Sequence, residues 1–348
     1  MRAITLVPGK PGTLGVTEVP DPRPGPGELL VQGLALGVCG TDRDLVSGEY
    51  GFSGDGPMIL GHESLGRVLE APEGSAFSPG DLVVGVVRRP DPEPCGACAR
   101  GEFDMCRNGR YTERGIKELD GYGSERWTVE AGYAVRVDPA LGVLGVLVEP
   151  ASVLAKAWEH IEKIGARAWF DPGKVLVTGA GPIGLLAALM GRRRGLEVHV
   201  LDRADTGIKP ELVTGLGATY HSGSSLDAVG GYMPDIIIEA TGHGPLVFDA
   251  MLGTGPVGIL CLTGVSSGGR HLRADAGLIN RDIVLENDVV FGSVNANLRH
   301  YREAAKALLE ADRSWLDALV TRRLPLEDCM PAFDAKDDDV KVIITLEG

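Results

Sequence analysis

Val175-Leu-Val-Thr-Gly179-Ala-Gly181-Pro182-Ile183-Gly184-Leu-Leu186 reads as a buried strand, a glycine turn and the start of a helix. Gly179 permits the tight turn, Gly181 lets a backbone approach a pyrophosphate, and Gly184 permits close helix–strand packing. Pro182 and Ile183 complete the turn that faces the anion. Free N–H groups and the dipole at the helix N-terminus supply the attraction. A lone glycine pattern of this kind is weak evidence, but here the required strand precedes it and the helix follows. Asp202 closes the next strand, Val198–Leu201, about 20 residues on, where an acid is expected to bind the adenosine ribose. Its carboxylate accepts from the ribose hydroxyls and repels a 2′-phosphate, which favours NAD. Arg203, immediately after it, would instead hold that phosphate by a charge-assisted bond.

Working outward, the periodicity predicts a run of βα units. Strands are expected at Lys174–Thr178, Glu197–Leu201, Asp235–Glu239 and Val257–Leu262, and helices at Ile183–Arg194 and Ile208–Leu216. This alternation indicates an α/β fold with a doubly wound parallel sheet. Ala240-Thr241-Gly242 and Leu262-Thr263-Gly264-Val265 each end a strand of that sheet, so Thr241, Thr263 and Val265 are expected to line the cofactor cleft.

The first half has a different texture. Gly and Pro punctuate short β-rich runs at Ala3–Val7, Glu28–Leu36, Ser64–Leu69 and Leu82–Val87, the pattern of an irregular, partly open β-barrel. The texture changes near Leu147–Pro150, and Ser152–Ile164 has helical spacing. After Asn295 a helix at Leu298–Ala311 precedes Trp315–Val320, and a strand at Val340–Leu346 is expected to return to the first domain. Lys336–Asp339 reads as a solvated turn. The expected division is a catalytic domain at 1–150, completed by 296–348, and a dinucleotide-binding domain at 151–295.

The 348 residues suffice for two domains, and 44% hydrophobic with 24% charged residues is ordinary soluble composition. A formal charge of −14 disfavours nucleic acid and anionic membranes as partners, because phosphate binding needs clustered Lys and Arg. The N-terminus lacks the pattern of a signal peptide, and no uninterrupted apolar run reaches the roughly 20 residues of a membrane helix. A cytoplasmic location is expected, with the 6 cysteines as ligands or buried thiols.

Three groups in the β-rich half suggest a metal. Cys39-Gly-Thr41-Asp42 follows an apolar strand, Gly61-His62-Glu63 follows Met58-Ile-Leu, and Glu149-Pro150 opens the second domain. Together they offer zinc a thiolate, an imidazole and carboxylates, with a position left for water or substrate. Such a metal polarises a hydroxyl and lowers its pKa. Singly, Cys39 reads better as a buried thiol, His62 as a core histidine and Glu149 as a helix-leading acid; joint occurrence beside a dinucleotide turn reverses that weighting. Cys95-Gly-Ala-Cys98 and Cys106 suggest a second, structural zinc site. Asp91 is the best fourth donor, with Glu93 behind it; the alternative is a metal-free lobe with reduced thiols.

In this order and spacing, the motifs resemble the zinc-containing medium-chain dehydrogenase/reductase superfamily across essentially the whole chain. Val87-Arg-Arg-Pro90, Tyr111-Thr-Glu-Arg-Gly-Ile116, Asp120-Gly-Tyr122, Leu147-Val-Glu-Pro150 and Phe291-Gly-Ser-Val-Asn295 are most similar to its glucose (aldose) 1-dehydrogenase branch. The resemblance implies a GroES-like catalytic domain, a Rossmann domain, a homodimer or homotetramer, and oxidation of an aldose to a lactone with NAD or NADP. It implies a catalytic zinc held by Cys39, His62 and Glu63, with Glu149 on or near the metal. Glu113 and Asn295 would contact the sugar, and Ser293 and Asn295 the cofactor. Asp91 stands where the first lobe cysteine is usual, and Val87 and Val153 stand where polar sugar contacts are expected. Thr41, two residues after the Cys ligand, would bond the substrate oxygen and relay its proton outward. Three rivals remain: a zinc polyol or secondary-alcohol dehydrogenase, a zinc-free reductase of quinones or enones, and a nucleotide-binding sensor without turnover.

Overall fold

The computed structural model describes residues 1–49, 56–266 and 271–347. They form two compact units, one of residues 1–152 with 295–348 and one of residues 153–294.

The first unit is built on a seven-stranded sheet. The strand Glu28–Val38 is its axis: it pairs with Glu63–Glu70 on one side and Lys341–Thr345 on the other, and Arg126–Glu130 also pairs with it. Its exposure alternates through residue 35, then stays buried to residue 38. One face therefore packs on the core around Val31, Trp127, Tyr122 and Ile344, while the far end is enclosed on both faces where it delivers Cys39. The return of the C-terminal strand to this unit is as expected from its apolar run. Val320–Pro325, parallel to it, is a strand the sequence pattern did not reveal.

The second unit carries a six-stranded, all-parallel sheet in the order Thr219–Ser222, Glu197–Asp202, Lys174–Thr178, Ile236–Glu239, Ile259–Leu262, Val289–Gly292. Numbered along the chain these strands run 3-2-1-4-5-6, so the direction of winding reverses between Lys174–Thr178 and Ile236–Glu239. Ligands in such sheets bind beyond the strand ends at this reversal. The three central strands are buried along almost their whole length, which is why they read as continuous apolar runs.

Several boundaries differ from the sequence reading, each for a local reason. The helix expected from Ser152 begins at Val148 and runs to Gly165. This places Glu149 and Pro150 in the first turn, where an acid is favoured by the dipole and proline loses no hydrogen bond. Trp315–Val320 is mostly the helix Arg313–Leu319, started by the Asp312 carboxylate accepting from the Ser314 and Trp315 N–H groups at 2.7 and 3.2 Å. Lys336–Asp339 is not simply a solvated turn. Asp339 accepts from Arg322 through both carboxylate oxygens at 2.7 Å, and its side chain is 8% exposed. Pro139–Gly165 is long and apolar enough, by length and composition, to cross a membrane, but 78% of its most apolar window is buried within the protein.

Candidate metal and dinucleotide sites

Cys39 sits just before the helix Gly40–Ser47, and its N–H donates to the Asp42 carboxylate at 2.9 Å. That turn fixes the direction of the thiol. His62 and Glu63 enter from the start of the neighbouring strand, with Cys39 Sγ 3.1 Å from His62 Nε2. Cys39, His62 and Glu63 each offer a donor atom, all lying within 4.8 Å of one another. Behind His62, Asp42 Oδ1 lies 3.3 Å from Nδ1, leaving Nε2 to face the thiol. A carboxylate behind a ligating imidazole fixes the ring in this way in many metal sites.

Lys341, fully buried, pairs with Glu63 and donates to the Val38 carbonyl at 3.2 Å. A Cβ on Gly37 would come within 2.0 Å of Glu63 Oε2 and push that carboxylate from its place. Glu149 is also buried, and that burial, with the charge of Glu63 added and His62 opposing, pushes its carboxyl up to about 7. Burial holds the Cys39 thiol up as well. His62 goes the other way from what burial alone dictates: the charges of Cys39 and then Asp42 raise it well above its ordinary value.

This is a donor set of thiol, imidazole and carboxylate. A divalent cation would release the thiol proton and lower the neighbouring carboxyl, so the residues fit zinc. Glu149 stands outside the closely converging three. Thr41 lies in the first turn of the helix, half-buried.

The second cluster also forms. Cys95, Cys98 and Cys106 bring their sulfurs within 4.8 Å of one another. The Arg107 and Cys98 N–H groups donate to Cys95 Sγ at 3.4 and 3.5 Å and lower its pKa to about 6, the thiolate state that a metal needs. Asp91 does not join this group. Its carboxylate accepts from the Glu93 N–H at 2.8 Å, Asn108 Nδ2 at 2.8 Å and Arg110 Nε at 3.2 Å, and it meets Cys98 only through its backbone. Glu93, exposed, is paired with Arg110. The lobe thus holds three converging donors, with the expected fourth committed to neighbouring cations and amides.

Glu113 lies on the short strand Thr112–Arg114, opposite Arg88. Its Oε1 accepts from Arg88 Nε at 3.0 Å and from Asn295 Nδ2 at 2.7 Å. The two residues singled out as sugar contacts are therefore bonded to each other. Asn295 also turns its Oδ1 to the Ala296 N–H, with a left-handed φ of 61°.

In the second unit, a cleft of about 830 Å³ opens at the winding reversal, and Gly179, Gly181, Asp202, Arg203, Thr241 and Val265 line it. Gly184 acts by packing: a Cβ there would stand 1.7 Å from the Gly179 carbonyl oxygen. Pro182 and Ile183 begin the helix Pro182–Arg193 beside the cleft without lining it. Asp202 Oδ2 accepts from the Ala180 N–H at 2.7 Å, which pins the carboxylate against the glycine turn; Oδ1 accepts from the Ala204 N–H at 3.1 Å, and Lys209 Nζ lies 3.5 Å away. Thr263 turns its hydroxyl back to the Glu239 carbonyl at 2.8 Å and does not line the cleft. Ser293, just after the sixth strand, is buried with an Oγ that has no hydrogen-bond partner among the described residues.

Three residues were missed. Glu239, fully buried, accepts from Thr178 Oγ1 at 3.2 Å and the Thr241 N–H at 2.8 Å, and it also meets the Gly242 N–H, so it shapes the loop over the cofactor cleft. Its signal was an acid ending an otherwise apolar strand. Lys341 and Lys209 carried no signal, because their partners are set by tertiary packing or by a helix start.

Residues 142–346 match the family model described as the glucose dehydrogenase C-terminus, and residues 25–139 match the alcohol dehydrogenase GroES-like domain. A glucose 1-dehydrogenase of Methanocella arvoryzae is 39% identical over 99% of both chains, and one of Thermoproteus tenax 38% over 100% of both. The Haloferax mediterranei glucose dehydrogenase, solved in complex with NADP, zinc and gluconolactone, matches with a TM-score of 0.92 and 33% identity, covering 100% of each chain. The two units are thus a GroES-like and a Rossmann domain, and the chain belongs to the glucose dehydrogenase family of zinc-containing medium-chain dehydrogenases.

Proposed function

We propose that the chain oxidises C1 of a glucose-like aldose to the lactone, with a hydride passing to a nicotinamide dinucleotide and one proton leaving to solvent. The observation that carries this reading is the convergence of Cys39, His62 and Glu63 on one point, with Asp42 and Lys341 bracing them. When bound there, zinc would supply a Lewis acid that lowers the pKa of the sugar hydroxyl. Cys39, His62 and Glu63 would hold it, with Glu149 on or near the metal. Thr41 accepts the hydroxyl proton and passes its own outward. Glu113 and Asn295 orient the sugar ring, and the pair they form fixes their position before the sugar arrives. In the lobe, Cys95, Cys98 and Cys106 would hold a second, structural zinc.

The test is an assay of aldoses, polyols and simple alcohols with both cofactors, before and after chelation. Turnover is expected with glucose or a close aldose, lost on chelation and restored by zinc. Oxidation of polyols with aldoses inert would replace this reading with a polyol dehydrogenase, and turnover that survives complete metal removal would sink the zinc reading.

NAD is the proposed preference. The support is Asp202, held in place by the Ala180 N–H so that its charge stays where a 2′-phosphate would come. Lys209 and Arg203 beside it leave NADP as a weaker alternative. Asp202→Ala is expected to shift the NADP:NAD ratio of kcat/KM toward NADP by roughly tenfold, about 1.4 kcal/mol. An unchanged ratio would remove Asp202 from cofactor choice.

A homodimer or homotetramer is the proposed assembly, supported by the strand Val289–Gly292 at the sheet edge and by Leu278, Val284 and Leu285 exposed on the helix Ala276–Glu286. Six free cysteines support a reducing, cytoplasmic setting.

A further inference from the structure

Arg88 is almost fully buried, and every polar end of its guanidinium is used. Nε and Nη2 both reach Glu113 Oε1 at 3.0 Å, Nη1 donates to the Asp104 carbonyl at 2.9 Å, and the planar group stacks over the Tyr111 ring at 3.7 Å. Asp104 lies between Cys98 and Cys106, inside the cysteine lobe. A second tie runs from the same segment: Asn297 Nδ2 donates to the Gly101 carbonyl at 2.6 Å and to Asp104 Oδ1 at 2.8 Å. Asn297 is two residues from Asn295, the other group bonded to Glu113. The lobe segment 101–104 is thus joined to Glu113 by two routes, one through Arg88 and one through Asn297 and Asn295.

A buried carboxylate is costly without a cation and costly to move once paired, so its position follows that of its partner. Lysine would not reproduce this arrangement, because only a planar fork can reach Glu113 and the Asp104 carbonyl from one stacked position. We propose that Arg88 is a positioning residue for sugar recognition: it transmits the fold of the cysteine lobe to Glu113, so that the lobe sets affinity for the sugar and not merely stability. This rests on the reading that Glu113 contacts the sugar.

The experiment compares Arg88→Met, Arg88→Lys, Asn297→Asp and Glu113→Gln as zinc-loaded full-length enzymes, measuring kcat, KM for glucose, KM for the cofactor and zinc content. Arg88→Met is expected to raise the glucose KM by roughly tenfold or more while kcat and the cofactor KM move by less than about threefold, the split that marks lost substrate binding. Arg88→Lys is expected to recover only part of the loss. Asn297→Asp keeps the side-chain oxygen that starts the helix Leu298–Leu309 but replaces the donor to Gly101 and Asp104 with a carboxylate that repels Asp104, which breaks the tie to the lobe and should raise the glucose KM in the same direction, by roughly threefold.

Glu113→Gln serves as the reference. If it raises the glucose KM while Arg88→Met and Arg88→Lys leave it unchanged, the positioning role is overturned and the sugar contact stands. If Glu113→Gln leaves the glucose KM unchanged, the sugar contact itself fails and this proposal falls with it. An unchanged KM in Asn297→Asp alone would overturn the lobe connection. Should Arg88→Met fail to fold, Arg88→Lys and Asn297→Asp decide by the same split.

Discussion

Cys39→Ala is expected to lower turnover by on the order of 10³-fold, more than the 10–100-fold typical of changing a group behind a ligand, and to empty the Cys39–His62–Glu63 site while the metal of the cysteine lobe stays. The Cys39 sulfur lies against His62 Nε2, and the Cys39 backbone N–H anchors the Asp42 carboxylate that orients the ring. Without the sulfur, His62 keeps its orientation but the cation loses its softest donor, leaving imidazole and carboxylates that bind zinc less tightly. Zinc content by elemental analysis and kcat on the same preparation check this. Cys329→Ala is the comparison, since Cys329 is buried in the core of the same unit and belongs to neither cysteine cluster. Full zinc occupancy and undiminished turnover in Cys39→Ala would end the catalytic-site assignment.

Thr41→Val should come next in size. The exchange keeps the branched shape and removes only the hydroxyl, so it isolates proton transfer. General acid–base groups contribute roughly 10²–10⁴-fold, and kcat is expected to fall by about 10² or more. Cofactor affinity should hold, because the dinucleotide cleft is lined by residues of the second unit. Thr41→Ser should retain most of the rate. Equal kcat in the Val and wild-type proteins would mean that the proton leaves by another route.

How much of this was legible in the sequence depended on whether the physical cause was local. Lys174–Thr178, the glycine turn and Asp202 could be read directly, because strand burial, turn geometry and ribose recognition all act within about 30 residues. Cys39, His62 and Glu63 were legible only jointly, since nothing in any one of them distinguishes a ligand from a core residue. Thr219–Ser222 and Ala276–Glu286 escaped notice: the strand is short and exposed in part at the sheet edge, and the helix has no buried residue to give it a period. Asp91 misled for a different reason. An acid near three cysteines is a natural donor by spacing, but Asn108 and Arg110 fold back onto its Oδ2 and the Glu93 N–H takes its Oδ1. Lys341 could not be found at all, because a lysine in an apolar strand reads as an edge residue until its carboxylate partner is known.

The pairing of Lys341–Thr345 with Glu28–Val38 bears on how the chain is made. Lys341 reaches the Val38 carbonyl across 303 positions, which at ordinary elongation rates separates the two by roughly 15–60 s on the ribosome. Residues 153–294 close their own sheet in the meantime, so the nucleotide-binding half can be complete co-translationally. Residues 35–38 of the strand Glu28–Val38 wait with that edge unpaired, the kind of open edge that exposes a chain to aggregation. A nascent chain stalled before residue 341 would therefore emerge with a finished nucleotide fold and an unfinished pocket for the ion.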